Sequence, residues 1–172
     1  MRGKYILERL YIKLFGMNKY LLKKGVVMGD NPHVYSNIST TESYLIRLGD
    51  NVTISNDVQF ITHDNSISKV IQGVSDVFGE INIGSNCFIG AHSIVLYGVS
   101  LAKGTIVAAG GVVTKSVTEE GIIIGGNPAK KIGTTEEFAM RMQEVAINIS
   151  GLSDKEKKRK IMSSSKLIRN AL

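Results

Sequence analysis

INIGSNCFIGAHSIVLYGVSLAKGTIVAAGGVVTKSV, residues 81–117, repeats itself every six positions. Ile83, Ile89, Val95, Leu101, Val107 and Val113 share one frame, and all six are branched aliphatics. Gly84, Gly90, Ala102 and Ala108 follow four of them, as suits a turn that recurs with the same period. Six residues are too few for an α-helical repeat, but they suit a short strand and a corner with one aliphatic side chain per unit pointing inward. Three such units close a coil of about 18 residues. Stacked coils then form three parallel sheets, each unit hydrogen-bonding to the unit one coil on, around a continuous aliphatic column. The pattern predicts an all-β solenoid, a parallel β-helix.

Outward from this stretch, Leu48, Ile54 and Phe60 continue the period inside LGDNVTISNDVQFITHDN. Phe60 lies 23 residues before Ile83, not a multiple of six, so a loop over residues 65–80 must interrupt the coils. GVVMGDNPHVYSNIS, from Gly25, reads as a weaker first coil. The ends read as α-helical. Residues 3–22 place Leu7, Leu10, Tyr11, Leu14 and Leu21 on one face and Arg2, Arg9 and Lys13 elsewhere. This amphipathic segment either caps the open end of the solenoid or touches a membrane surface. Thr134 with Glu137 and Ser153 with Glu156 have capping-box spacing, which predicts two further helices. One carries Phe138, Met142, Val145 and Ile149 at helical spacing, and the other carries the Lys155–Lys160 charge run, a solvated face. The expected organisation is an N-terminal helix (1–24), a β-helix (25–133) with its inserted loop, and C-terminal helices (134–172).

A chain of 172 residues, 43% apolar, suits one core with appendages. Its single cysteine, Cys87, excludes an internal disulfide framework. No leader pattern or run of about 20 apolar residues is present, so a cytoplasmic protein with at most peripheral membrane contact is expected. The net charge of +6 is unevenly placed. Residues 1–24 carry seven basic groups and one acid, residues 25–129 four and nine, and residues 130–172 ten and five. An acidic middle without tryptophan argues against nucleic-acid binding.

Three histidines are present, and His63, in FITHDN just before the inserted loop, holds the best place for chemistry. An imidazole there can take a proton from a hydroxyl as that oxygen attacks a thioester; the alternative is a surface histidine in a Thr-His-Asp turn. His33 and His92 fall within the repeat and read as polar corners. No metal is expected, because the histidines lack close ligand spacing and one cysteine is available. Cys87 reads as a small packed residue rather than a nucleophile.

The 81–117 stretch followed by GIIIGGNPAKKIG, residues 121–133, resembles the final coils and exit segment of hexapeptide-repeat acyltransferases, especially galactoside, maltose and surface-polysaccharide O-acetyltransferases. The ordered succession of IGxxxxIGAHS, IVAAGxVVTK and GNPAK carries the resemblance, over roughly residues 26–133. It implies a left-handed β-helix, a homotrimer with active sites between subunits, acetyl-CoA as donor and a sugar or saccharide acceptor. It also implies that His63 is the general base, that Ala91 and Ala109 lie along the pantetheine arm, and that Thr114, Lys115 and Lys130 meet the nucleotide end. Lys131 is a helper without a counterpart. Asn37 falls near an acceptor-binding asparagine of galactoside-type enzymes, and Phe88 takes the position of an aromatic residue beside the acyl-CoA coil. The carboxylate that orients His63 stays open between Asp64 and Glu80. Transfer to an amine and a non-catalytic trimeric scaffold are the competing readings.

Overall fold

The computed structural model describes residues 2–168, with side chains from Ile6 onward; Met1, the side chain of Arg2 and residues 169–172 lie outside the described part. Two compact units divide the chain, one ending at Thr135 and one starting at Glu136.

The first unit opens with α1 (Arg2–Phe15) and α2 (Met17–Lys23). The single N-terminal helix expected from the periodicity is broken at Gly16, whose φ of 85° leaves the helical region that a side-chain-bearing residue would hold. α2 seals the core through Tyr20 and Leu21, at 6% and 0% exposure, and α1 adds the half-buried Tyr11 and Ile12. Leu7, Leu10 and Leu14 of α1 stay 50–67% exposed.

Strands β1 (Val27–Met28), β2 (His33–Val34), β3 (Ile46–Leu48), β4 (Thr53–Ile54) and β5 (Gln59–Ile61) build the first two coils. A hairpin of β6 (His63–Asp64) and β7 (Val77–Phe78) follows, and then β8 (Ile81–Ile83), β9 (Phe88–Ile89), β10 (Ile94–Leu96), β11 (Ser100–Leu101), β12 (Ile106–Val107) and β13 (Val112–Val113). β14 (Ile122–Gly125) and β15 (Lys130–Thr134) close the unit. The chain visits three sheets in turn: β1-β3-β8-β11, then β2-β4-β9-β12-β14-β15, then β5-β10-β13. Every pairing is parallel except β14 with β15 and β6 with β7.

The expected column is the core. Leu48, Ile54, Phe60, Ile83, Ile89, Val95, Leu101, Val107 and Val113 are all at most 4% exposed, each burial worth about 1.5–3 kcal/mol. In register, Leu101 pairs with Ile83 one coil back, and Ile83 pairs with Leu48 across the inserted loop. That loop begins with a 3-10 turn over Asn65–Lys69 and returns through β7. Asparagines line the corner between the first and second sheets, where Asn31, Asn51 and Asn86 all have φ between 53° and 59°. Their amides form a ladder, Asn31 donating to Asn51 at 3.2 Å and Asn51 to Asn86 at 2.8 Å. Asparagine tolerates the left-handed conformation and here also ties coil to coil. His92, at φ 59°, holds the equivalent role at another corner, which accounts for it as a polar turn residue.

α3 (Thr135–Met142) starts where the Thr134 capping spacing expects a helix but ends at Met142, so Val145 and Ile149 lie outside it. In the second unit, α4 (Asp154–Ser163) carries the expected box, with the Ser153 N–H donating to the Glu156 carboxylate at 3.0 Å.

Candidate active site

β5 ends the third sheet of the second coil, and the chain then turns outward into the hairpin instead of closing the coil. Thr62 is the last inward residue, fully buried, and His63 is the first to leave. The antiparallel pairing of His63 with Phe78 fixes the ring's backbone, and the two rings stand 5.9 Å apart at 41°. The imidazole remains 40% exposed.

His63 Nδ1 lies 2.8 Å from Oε2 of Glu42, a carboxylate only 14% exposed that belongs to the coil below. Threonine hydroxyls surround the same carboxylate. Thr62 donates to Oε2 at 3.0 Å, Thr40 at 3.2 Å, and Thr41 donates to Oε1. These hydrogen bonds, that of Thr41 foremost, outweigh burial and hold the Glu42 carboxyl down at about 2. An ionised carboxylate only accepts hydrogen bonds, so Nδ1 carries the proton of this contact, and in the neutral ring the lone pair is on Nε2.

Neither acid left open by the sequence takes this place. Asp64 accepts from the Ser66 N–H at 2.8 Å and caps the inserted loop, while Glu80 faces Arg47 at 3.7 Å. Nearness to His63 in the chain does not point to Glu42, which lies 21 residues before it. In a coiled fold the neighbour lies one coil back, and the 20-residue offset between Val34 and Ile54 points to residues 42–43.

Ala91 and Ala109 stack at the corner between the second and third sheets, where the Gly110 N–H donates to the Ala91 carbonyl at 2.8 Å. Ala109 and Gly110 are exposed, and the space where a Gly110 side chain would stand is open. The GNPA loop crowns this edge: Val112 donates to the Gly126 carbonyl at 2.9 Å and Ala129 to the Val112 carbonyl at 2.8 Å. Lys130 follows, opposite Gly125 in the terminal antiparallel pair. Thr114 and Lys115 instead leave the far end of the third sheet, the end from which His63 emerges two coils away. One face of the solenoid therefore separates His63 from Ala91, Ala109 and Lys130. Among the described residues neither Lys115 nor Lys130 joins an ion pair, whereas Lys131 is held by Glu119 at 3.2 Å.

Asn37 is exposed and lines a cleft below β5 with Asp57 and Gln59. It makes no hydrogen bond to His63 among the described residues. Phe88 is 43% exposed on the outer surface. Cys87 is 1% exposed and donates to the Ala102 carbonyl at 3.2 Å; burial pushes its thiol up, away from the reactive thiolate.

Six-residue units in stacked parallel coils, closed by a GNPAK exit, define a hexapeptide-repeat solenoid. The family model described as "Hexapeptide repeat of succinyl-transferase" matches residues 80–115. Protein CapG of Staphylococcus aureus is 37% identical over 160 residues, covering 88% of this chain and 92% of that one. The chain belongs to the hexapeptide-repeat acyltransferase family. Among solved structures it is similar to the hexapeptide-repeat acetyltransferase VCA0836 of Vibrio cholerae, solved with acetyl coenzyme A. That match has a TM-score of 0.55, 26% identity and coverage of 65% of this chain and 61% of that chain. A maltose O-acetyltransferase from Clostridium difficile shares the fold, with a TM-score of 0.61, 22% identity and coverage of 76% and 83%.

Proposed function

We propose that the chain is a left-handed β-helical O-acetyltransferase that moves an acetyl group from acetyl-CoA to a sugar or polysaccharide hydroxyl in the cytoplasm, acting as a homotrimer. The Glu42–His63 contact carries this reading, because it engages Nδ1 and leaves Nε2 of a 40% exposed ring to act as the base. A sugar hydroxyl is a poor nucleophile until its proton is removed as it attacks, and a positioned imidazole supplies that step. His63 takes the hydroxyl proton on Nε2 while the oxygen attacks the thioester carbonyl, and backbone N–H groups stabilise the oxyanion. Collapse expels the coenzyme thiolate, which takes the proton back from the imidazolium. Glu42 stabilises that imidazolium and fixes the ring.

The donor fits the opposite edge. Ala91 and Ala109 leave the main chain accessible to a pantetheine arm, and Lys130, in no ion pair among the described residues, offers a cation to phosphates. Thr114 and Lys115, which leave the third sheet at the His63 end, meet a donor carried on the neighbouring subunit's edge, and Asn37 contacts the acceptor. VCA0836, which shares the fold, was solved with acetyl coenzyme A and supports the donor assignment. Because one face separates the base from the Ala91–Ala109 edge, a second subunit must bring its own edge to His63.

The test is coenzyme A release, wild type against His63→Ala, across sugars, oligosaccharides and amines. Hydroxyl-dependent release that falls at least about 10²-fold in the variant is expected. Unchanged turnover in the variant contradicts the mechanism, and turnover with amines alone contradicts O-transfer.

A further inference from the structure

The N-terminal helix pair presents an unpartnered surface of mixed character. Leu7, Leu10 and Leu14 follow one another at helical spacing, 67%, 50% and 66% exposed, with Phe15 at 51% beside them. Ile12, on the opposite side of α1, packs toward the core, so the leucine row faces out. A helix intended only as a cap would bury that row. Together with Tyr11, Tyr20 and Lys23 it borders an apolar cleft.

The charges around this row are predominantly basic, seven basic groups against one acid over residues 1–24. Arg9, Lys13, Lys19 and Lys23 are exposed, and Lys23 lies 4.8 Å from the centre of the Tyr11 ring. The one acid in the first 24 residues, Glu8, faces Lys24 at 4.0 Å. A row of leucines edged by cations on a short helix complements an anionic lipid surface, where leucines enter the acyl boundary and lysines meet the headgroups. Among the described residues no helix is long and apolar enough to cross a membrane, so α1 would lie along the surface. A 14-residue helix offers about 21 Å of contact in that orientation.

We infer that α1 docks the protein on anionic membranes through Leu7, Leu10 and Leu14. The stretch of residues 25–129, with four basic groups against nine acids, is repelled by such a surface while the helix pair is drawn to it. α2 covers the first coil, with the Asn18 amide donating to the Pro32 carbonyl at 2.8 Å. Glu42 belongs to that same coil and His63 to the next. With coils about 4.8 Å apart, the Glu42–His63 pair sits at the membrane-proximal end, where an acceptor carried by a lipid would be met.

Flotation with vesicles tests the binding without reference to catalysis. The full chain is expected to float with phosphatidylcholine vesicles containing phosphatidylglycerol, not with phosphatidylcholine alone. The Leu7→Ser/Leu10→Ser/Leu14→Ser variant should lose at least about 10-fold in bound fraction. Lys13→Glu/Lys23→Glu and added salt should each weaken binding. Because every changed side chain is exposed, circular dichroism should match the wild type. Absence of binding to anionic vesicles, or equal binding by the serine variant, overturns the inference. So does a wild type that ignores vesicles but breaks into smaller particles when the leucines are replaced, since a second copy of the chain then covers the row.

Discussion

Glu42 and His63 stand 21 residues apart in the chain and 2.8 Å apart in space. Glu42→Gln keeps the shape but lets the amide donate to Nδ1, favouring the tautomer that has no lone pair on Nε2. We expect kcat to fall about 10- to 10³-fold with little change in KM for acetyl-CoA; a KM effect alone would count against a positioning role. The same carboxylate makes a pH statement. Its ordinary value of 4.5 is depressed to about 2 in the folded protein, so the unfolded chain binds more protons between these values. Its contribution to stability is therefore present above about pH 4.5 and fades as the pH falls toward about 2. Thermal unfolding of wild type and Glu42→Gln should show a melting difference that shrinks across that window. A difference constant with pH would mean that the threonines, not the charge, set its worth.

At the scale of strands and corners, the six-residue frame is what the sequence displays most openly, because one buried aliphatic per unit leaves a mark every sixth position. Ile89 is fully buried, and Ile89→Ala should cost about 2–5 kcal/mol in denaturant unfolding. Gly90 tests coil spacing rather than core volume. A Cβ there would meet the backbone N of Ala109 at 2.5 Å and the Val107 carbonyl at 2.7 Å, so Gly90→Ala must push two coils apart. A loss of about 1–3 kcal/mol is expected; an unchanged midpoint would mean that the coils slide freely. Less was legible where the period slips. The 35-residue step from Leu48 to Ile83 hid the β6–β7 hairpin, and Gly16 broke a helix whose apolar spacing ran on unbroken. The asparagine ladder leaves no periodic mark in the sequence, because its members are spaced by coils of unequal length.

For the whole molecule, the position of His63 was legible from the sequence because the period stops there, while its partner was not, since pairing between coils is a property of the stack. His63 and the Ala91–Ala109–Lys130 edge lie on opposite sides of one face, so the proposed mechanism requires the proposed trimer. Subunit mixing addresses this directly. His63→Ala removes the base, and Ala109→Trp fills the edge that would carry the donor. Each homotrimer should retain less than about one hundredth of wild-type turnover. In a mixed trimer one interface joins an intact base to an intact edge, and turnover should return toward about one third of wild type. Recovery of that size supports catalysis by His63 across a subunit boundary; a mixture no more active than its two parents would contradict it.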